Sequence, residues 1–142
     1  MNIANILATK GGHVVTIRRE RTVREAVALL VDHDIGALIV VNEGNKPVGI
    51  ITERHVVRQA ARNEQVLTRT VGEIMTREVI MGSPEDDLVA VAHTMTEKRI
   101  RHLPVMDKGT LVGIVSIGDV VKAQRDKYRG DVETLETRVL GN

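Results

Sequence analysis

The chain repeats itself. Val48-Gly49-Ile50-Ile51-Thr52 returns 64 residues later as Val112-Gly113-Ile114-Val115-Ser116. Upstream, Ala37-Leu38-Ile39-Val40-Val41-Asn42 faces His102-Leu103-Pro104-Val105-Met106-Asp107 at a spacing of 65, one residue being lost in the turn between the blocks. Thr22-Val23-Arg24-Glu25-Ala26-Val27 faces Asp87-Leu88-Val89-Ala90-Val91-Ala92 at the same spacing of 65, and His55-Val56-Val57 faces Asp119-Val120-Val121. Two halves of about 60 residues must therefore build the same units in the same order, which constrains the fold more than composition does.

In the first half, Val14-Val15-Thr16-Ile17 is a short β-branched strand. Thr22-x-x-Glu25 is a capping box opening a helix to about His33, with Val23, Ala26, Val27, Leu30 and Val31 on one face. Gly36 closes the helical region. Ala37 to Val41 has the length of a buried strand, Glu43-Gly44-Asn45-Lys46 turns the chain, and Pro47 to Thr52 returns as its hairpin partner. A second helix runs from about Glu53 to Arg62. The second half repeats this order. Val79-Ile80-Met81 is the strand, and Ser83-Pro84 starts a helix with proline at its first position. Leu88, Val91, Ala92 and Met95 point inward from that helix. Leu103–Met106 and Leu111–Val115 form the hairpin around Asp107-Lys108-Gly109-Thr110. A last helix starts near Gly118 and reaches about Leu140, with Gly130 its weak point.

The fold class is thus α/β of the α+β kind, two β-α-β-β-α repeats related by a pseudo-two-fold axis. Residues 1–62 hold the first repeat with an N-terminal helix, 63–70 a linker without apolar periodicity, 71–127 the second repeat, and 128–142 a helical extension. Each half alone has a marginal core. The halves are expected to pack through sheets or helices and leave clefts, where ligands bind naturally; such symmetry also serves stability alone.

Composition narrows the chemistry. Hydrophobic residues make up 42% and charged ones 27%, an ordinary globular balance. Zero cysteine removes disulfides, thiolate catalysis, zinc fingers and iron–sulfur clusters. A net charge of +1 offers no general attraction to nucleic acid, and with Tyr128 the only aromatic there is no stacking platform for single strands. No apolar run has the length of a membrane span, and the N-terminus does not read as a signal peptide, so a cytoplasmic location is expected. His13, His33, His55, His93 and His102 lack metal-ligand spacing, so no metal is expected. No nucleophile–base–orienter set is present, so no catalytic residue is assigned and an enzyme is not expected.

Two strand-to-helix junctions recur, Thr52-Glu53-Arg54-His55 and Ser116-Ile117-Gly118-Asp119. Both read as helix caps. The same geometry suits a nucleoside: a helix start offers free N–H groups, a hydroxyl can donate to a phosphate or ribose oxygen, and the Asp119 carboxylate can accept from two vicinal hydroxyls. In Lys98-Arg99-Ile100-Arg101-His102, the first two residues read as a solvated helix end. Arg101 is placed to clamp a phosphate, and His102 either to donate to one or simply to pack. Lys10-Gly11-Gly12 lacks the P-loop ending and reads as a turn after the Ile3-Ile6-Leu7 helix, with Lys10 touching a phosphate as the sharper alternative.

The duplicated unit, with Gly-Ile-Ile-Thr-Glu-Arg-His from Gly49 and Gly-Ile-Val-Ser-Ile-Gly-Asp from Gly113, resembles a tandem cystathionine β-synthase (CBS) domain pair, or Bateman module. So do Ile35-Gly36-Ala37-Leu38-Ile39-Val40-Val41, Val71-Gly72-Glu73-Ile74-Met75-Thr76 and Arg99-Ile100-Arg101-His102-Leu103-Pro104-Val105. The likeness covers about residues 3–125. It implies binding of an adenosine nucleotide: AMP first, with ADP, ATP, NAD(H) or S-adenosylmethionine derivatives as alternatives. By resemblance Asp119 holds the ribose, with Ser116, Ile117 and Gly118 beside it. Arg101 and His102 contact phosphate. Thr16, Ile17 and Ala37 in the first repeat, and Ile80, Met81 and Leu103 in the second, contact adenine. The first repeat departs from the pattern, with His55 where the family usually has aspartate, so Thr52, Arg54 and His55 are expected to form a weaker, altered or empty site. The family implies a homodimer assembled through helices, with Val56-Val57-Gln59-Ala60 reading equally as such a face or as core, and an unidentified regulated protein. The reading is a non-catalytic sensor; the alternative is a constitutive oligomerisation module with empty clefts. Nucleic-acid binding through Arg125, Lys127, Arg129 and the Arg99–His102 region is disfavoured by Asp126, Asp131, Glu133 and Glu136.

Overall fold

The structure is a computed structural model that describes the backbone of residues 1–140 and the side chains of residues 1–129. The chain runs through α1 (Ile3–Lys10), β1 (Thr16–Arg18), α2 (Val23–His33), β2 (Ala37–Val41), β3 (Pro47–Thr52) and α3 (Glu53–Ala60). A short 3-10 turn (Val66–Thr68) and α4 (Val71–Ile74) lead to α5 (Leu88–Lys98), β4 (His102–Asp107), β5 (Thr110–Ser116) and α6 (Ile117–Leu140). Side-chain statements about Asp131, Glu133 and Glu136, and the weakening expected at Gly130, lie outside the described side chains.

The repeat is visible bond by bond. Thr22 caps α2, its Oγ1 accepting from Glu25 N–H at 3.2 Å; Asp87, its counterpart, caps α5 through the N–H groups of Val89 and Ala90. The cap was expected one turn earlier, at Ser83-Pro84. That pair instead forms a turn in which Asp86 accepts the Ser83 N–H at 2.8 Å, because Asp87 offers the better acceptor immediately before the apolar run. Both helices end on a left-handed residue, Asp34 (φ 51°) and Arg99 (φ 55°), and not on Gly36. Both hairpins carry an irregularity at the same place, between Val40 and Val41 and between Val105 and Met106. Val31, expected on the inner face of α2, is 72% exposed, while Val23, Ala26 and Leu30 are buried.

The first sheet has three strands, β1 parallel to β2 and β2 antiparallel to β3. The second has two, β4 and β5. The expected strand Val79–Met81 is absent. In its place Gly82 makes a single parallel bridge to Val105, with Gly82 N–H on Pro104 C=O and Met106 N–H on Gly82 C=O. The reason lies in one residue. In the first repeat Ile39 N–H donates to Val15 C=O; the counterpart of Ile39 is Pro104, which has no N–H, so the ladder cannot extend back to Ile80.

Three apolar clusters hold the molecule. The first joins α2, β2, β3 and α3 with Val66, Val71 and Ile74. The second joins α5, β4, β5 and α6 with Ile3 and Ile6. The third, Ala37, Ile39, Val41 and Ile50 with Val14, Val79, Leu111 and Ile114, packs one sheet against the other. The N-terminal helix, grouped by sequence order with the first repeat, therefore packs on the second, and the linker around Val66 packs on the first. Gly113 and Gly49 make the crossings possible. A Cβ on Gly113 would lie 2.7 Å from Leu7 Cδ2 of α1, and one on Gly49 would lie 2.6 Å from Met75 Sδ. Each half completes its core with the segment preceding the other, which is why neither is self-sufficient.

Candidate functional site

Both strand-to-helix junctions are built alike. Glu53 N–H donates to Gly36 C=O at 3.0 Å, and Ile117 N–H donates to Arg101 C=O at 2.9 Å. Each repeat thus ties the start of its last helix to the residue before its middle strand. Thr52 Oγ1 accepts His55 N–H at 3.1 Å. Ser116 Oγ accepts Asp119 N–H at 3.1 Å, and Asp119 Oδ2 accepts Ser116 N–H at 2.8 Å, a complete reciprocal box.

The equivalences show how unlike the two sites are. Where the second repeat has Arg101, His102 and Asp119, the first has Gly36, Ala37 and His55. Gly36 has a second consequence. A Cβ there would lie 3.1 Å from His102 Nε2 and 3.3 Å from Glu53 Oε1. The missing side chain leaves room for the imidazole of one repeat beside the helix start of the other, so the two junctions meet across the pseudo-dyad.

Lys10 reaches this place from the end of α1. Its Nζ donates to Ile114 C=O at 2.8 Å and to Asp119 Oδ2 at 2.5 Å. The helix ends there because Gly11 takes φ 93°. The Lys10 and Asp119 side chains remain 34% and 25% exposed, so the pair lies at a mouth and not in the core. Burial works to raise the Asp119 pKa, but the hydrogen bonds from Lys10 and Ser116 outweigh it and hold the carboxylate below its ordinary range. His102 is held below the ordinary imidazole value, first by burial and then by the Lys10 and Arg101 charges, against the opposing pull of Glu53 and Asp119. Burial and the two cations both favour the neutral form of the ring. His55 is lowered too, by burial and by Arg58.

Lys10, Ser116, Asp119 and His102 thus stand together, with Ile117 and Gly118 beginning α6 beside them and Arg101 acting electrostatically on His102. The expected adenine contacts are dispersed. Ile80 and Met81 are 37% and 40% exposed and line a separate hollow of about 230 Å³ with Gly82, Val91 and Leu103. The Leu103 and Ile17 side chains are spent in the two repeat cores, and Ala37 packs between the sheets, so these three can offer a ligand little beyond their backbone. Thr16 is exposed, as is Arg54. A larger open hollow, about 550 Å³ between Arg19, Val48, Met75 and Arg77, contains none of the expected residues. Glu53 was missed by sequence reasoning. The signal was available, since a carboxylate opens α3 where α6 has Ile117. Among the described residues no group of histidines and carboxylates is placed to hold a metal, and no helix is long and apolar enough to cross a membrane.

Fold and junctions define a class: a duplicated α+β pair whose two last helices start side by side. The family model for the CBS domain matches residues 4–62 and again 71–126. The chain belongs to the CBS domain family, as a tandem pair. It is 34% identical over 148 residues to the mitochondrial CBS domain-containing protein CBSX3 of Arabidopsis thaliana, covering 98% of this chain and 72% of that one. Among solved structures it is similar to the CBS-domain containing protein ATU1752 from Agrobacterium tumefaciens, with TM-score 0.84, 36% identity and coverage of 87% and 92% of the two chains. The CBS domain pair of protein MJ0100, solved in complex with 5′-methylthioadenosine and S-adenosyl-L-methionine, gives TM-score 0.78 and 30% identity, covering 89% of this chain and 98% of that one.

Proposed function

We propose that this CBS pair is a non-catalytic sensor that binds an adenosine nucleotide, AMP first, at the start of α6, and passes occupancy to a partner protein or to its own assembly. The observation that carries the reading is the Asp119 carboxylate at a helix N-terminus, bonded to Lys10 and within electrostatic reach of His102. A ribose diol needs a carboxylate with free acceptor positions, and Oδ1 of Asp119 takes no bond among the described residues. A 5′-phosphate needs donors: Lys10, Arg101, the His102 imidazole and the Gly118 N–H are the candidates, since the Ile117 and Asp119 N–H groups are already given to Arg101 C=O and Ser116 Oγ. That the similar pair of MJ0100 is solved with two adenosyl compounds supports the ligand class. With Gly36, Ala37 and His55 in the equivalent places, the first repeat offers a poorer site, so one nucleotide per chain is the expected stoichiometry. Self-association is part of the proposal: Val57 and Val121, equivalent residues of α3 and α6, are 69% and 56% exposed.

One observation favours a second reading. Asp119 is already engaged by Lys10 and Ser116, and neither hollow described above includes it. A constitutive assembly module with unused clefts would look the same. Calorimetric titration of AMP, ADP, ATP, NADH and S-adenosylmethionine into the wild type and Asp119→Ala separates the two. The sensor predicts saturable binding that the substitution removes, and about 2.7 kcal/mol of added stability at a hundredfold excess over Kd. The assembly module predicts no heat and no stabilisation with any of them.

A further inference from the structure

Lys10 already occupies the carboxylate that a ribose would need. Its ammonium has three donors; one goes to Ile114 C=O and one to Asp119 Oδ2. The Ser116 N–H is on the same oxygen. Oδ2 therefore has both lone-pair positions filled, and only Oδ1 is open. A vicinal diol that grips a carboxylate with one hydroxyl on each oxygen must evict Lys10, since the Ser116 bond is part of the helix cap. Eviction takes a partly buried ammonium from its salt-bridge partner and leaves it the Ile114 carbonyl. That cost is borne by any ligand with a ribose, and only a ligand with an anionic group beside the sugar returns a partner to the ammonium.

We infer that Lys10 is a built-in competitor for the ribose site, which makes binding depend on a 5′-phosphate and so sets the nucleotide apart from the bare nucleoside. It deepens the sensor reading and rests on it. The geometry favours exchange over rearrangement of the helix. Ile3 and Ile6 anchor α1 in the second core, and Leu7 seats against Gly113, so α1 stays in place while the four-carbon stem of Lys10 swings. Glu53 acts on the His102 ring, and among the described residues Lys10 has Asp119 as its one salt-bridge partner.

The test is calorimetry with two probes, adenosine and AMP, on the wild type and Lys10→Met, which keeps the apolar stem and removes the charge and donors. Adenosine is expected to bind the variant about threefold tighter, since a part-exposed ion pair no longer competes. AMP is expected to bind about tenfold weaker, having lost a charge-assisted hydrogen bond. The preference for AMP over adenosine thus collapses about thirtyfold. An unchanged preference, with both ligands weakened alike or both unaffected, overturns the role of Lys10 while leaving adenosine binding standing. Wild-type protein and variant that bind neither probe overturn the sensor reading itself and this inference with it. A second measurement needs no variant: raising salt should tighten adenosine binding to the wild type by screening the Lys10–Asp119 pair, and weaken AMP binding. A parallel loss for both ligands contradicts the competition.

Discussion

Gly49 and Gly113 are the same residue of the repeat, yet substituting each with alanine should have very different effects. At both, φ lies outside the left-handed region, so alanine is conformationally allowed and gains about 0.4–1 kcal/mol through the unfolded state. What differs is the obstacle. At Gly113 the new methyl meets Leu7 Cδ2 at 2.7 Å and Cδ1 at 3.2 Å, the mobile end of one side chain. Turning Leu7 aside costs about 0.5–1.5 kcal/mol. At Gly49 the methyl meets Met75 Sδ at 2.6 Å and also the Thr76 carbonyl oxygen at 2.7 Å, which is backbone. That carbonyl accepts Ile50 N–H at 3.0 Å, while Thr76 N–H donates to Ile50 C=O at 2.9 Å. Relief requires the Met75–Thr76 crossing to slide. Overpacking of about 1–3 kcal/mol then adds to two weakened hydrogen bonds of about 1 kcal/mol each. Gly49→Ala should thus cost about 2–4 kcal/mol and Gly113→Ala between about 0 and 1. In urea denaturation monitored by circular dichroism, Gly49→Ala should lower the midpoint by about 1 M or more, with Gly113→Ala close to wild type. Equal losses at the two sites, or a neutral Gly49→Ala, would refute the idea that the Met75–Thr76 backbone is wedged onto the first sheet.

His102 should titrate with a midpoint below 6.5, visible in its ring proton shifts. Because its folded pKa is depressed, the unfolded chain takes the proton first, so stability falls as pH drops through the unfolded value near 6.5 and levels off below the folded one; His102→Gln should flatten part of that fall, and a midpoint above 6.5 would contradict a half-buried ring near the Lys10 charge. His55→Asp should recreate at α3 the reciprocal box seen at Ser116 and Asp119 and add about 0.3–1 kcal/mol of stability through the helix dipole. Calorimetry should then show a second, weaker AMP site per chain, weaker because Gly36 and Ala37 stand where the second repeat has Arg101 and His102; unchanged stoichiometry would count against His55 as the cause of the asymmetry.

Local patterns read well in advance. The Thr22–Glu25 box, both hairpins, the inward faces of α5 and, Val31 excepted, of α2, and the Ser116–Asp119 pair all depend on residues within a turn or a ladder of one another. The misses have non-local or competing causes. Val79–Met81 is apolar enough for a strand, but the partner that should donate to Ile80 is Pro104. Ser83-Pro84 has the form of a helix start, yet Asp87 lies closer to the apolar face. Gly36 looked like a helix stop; its use is to leave space for His102, a residue of the other repeat. Lys10 was legible as a cation near glycines, whereas its pairing with Asp119 spans 109 residues and depends on α1 crossing to the second core. The family resemblance implies the roles and, through His55, the inequality of the two junctions; the geometry adds the Lys10–Asp119 pair and the approach of His102 to Gly36.

The most direct test of the account is a crystal structure of the protein grown with saturating AMP. It predicts nucleotide at the start of α6 with one ribose hydroxyl on each oxygen of Asp119, the Ser116 cap intact, and the Lys10 ammonium moved from the carboxylate to the phosphate. Asp119 still bonded to Lys10, with the nucleotide elsewhere or not bound, would contradict it.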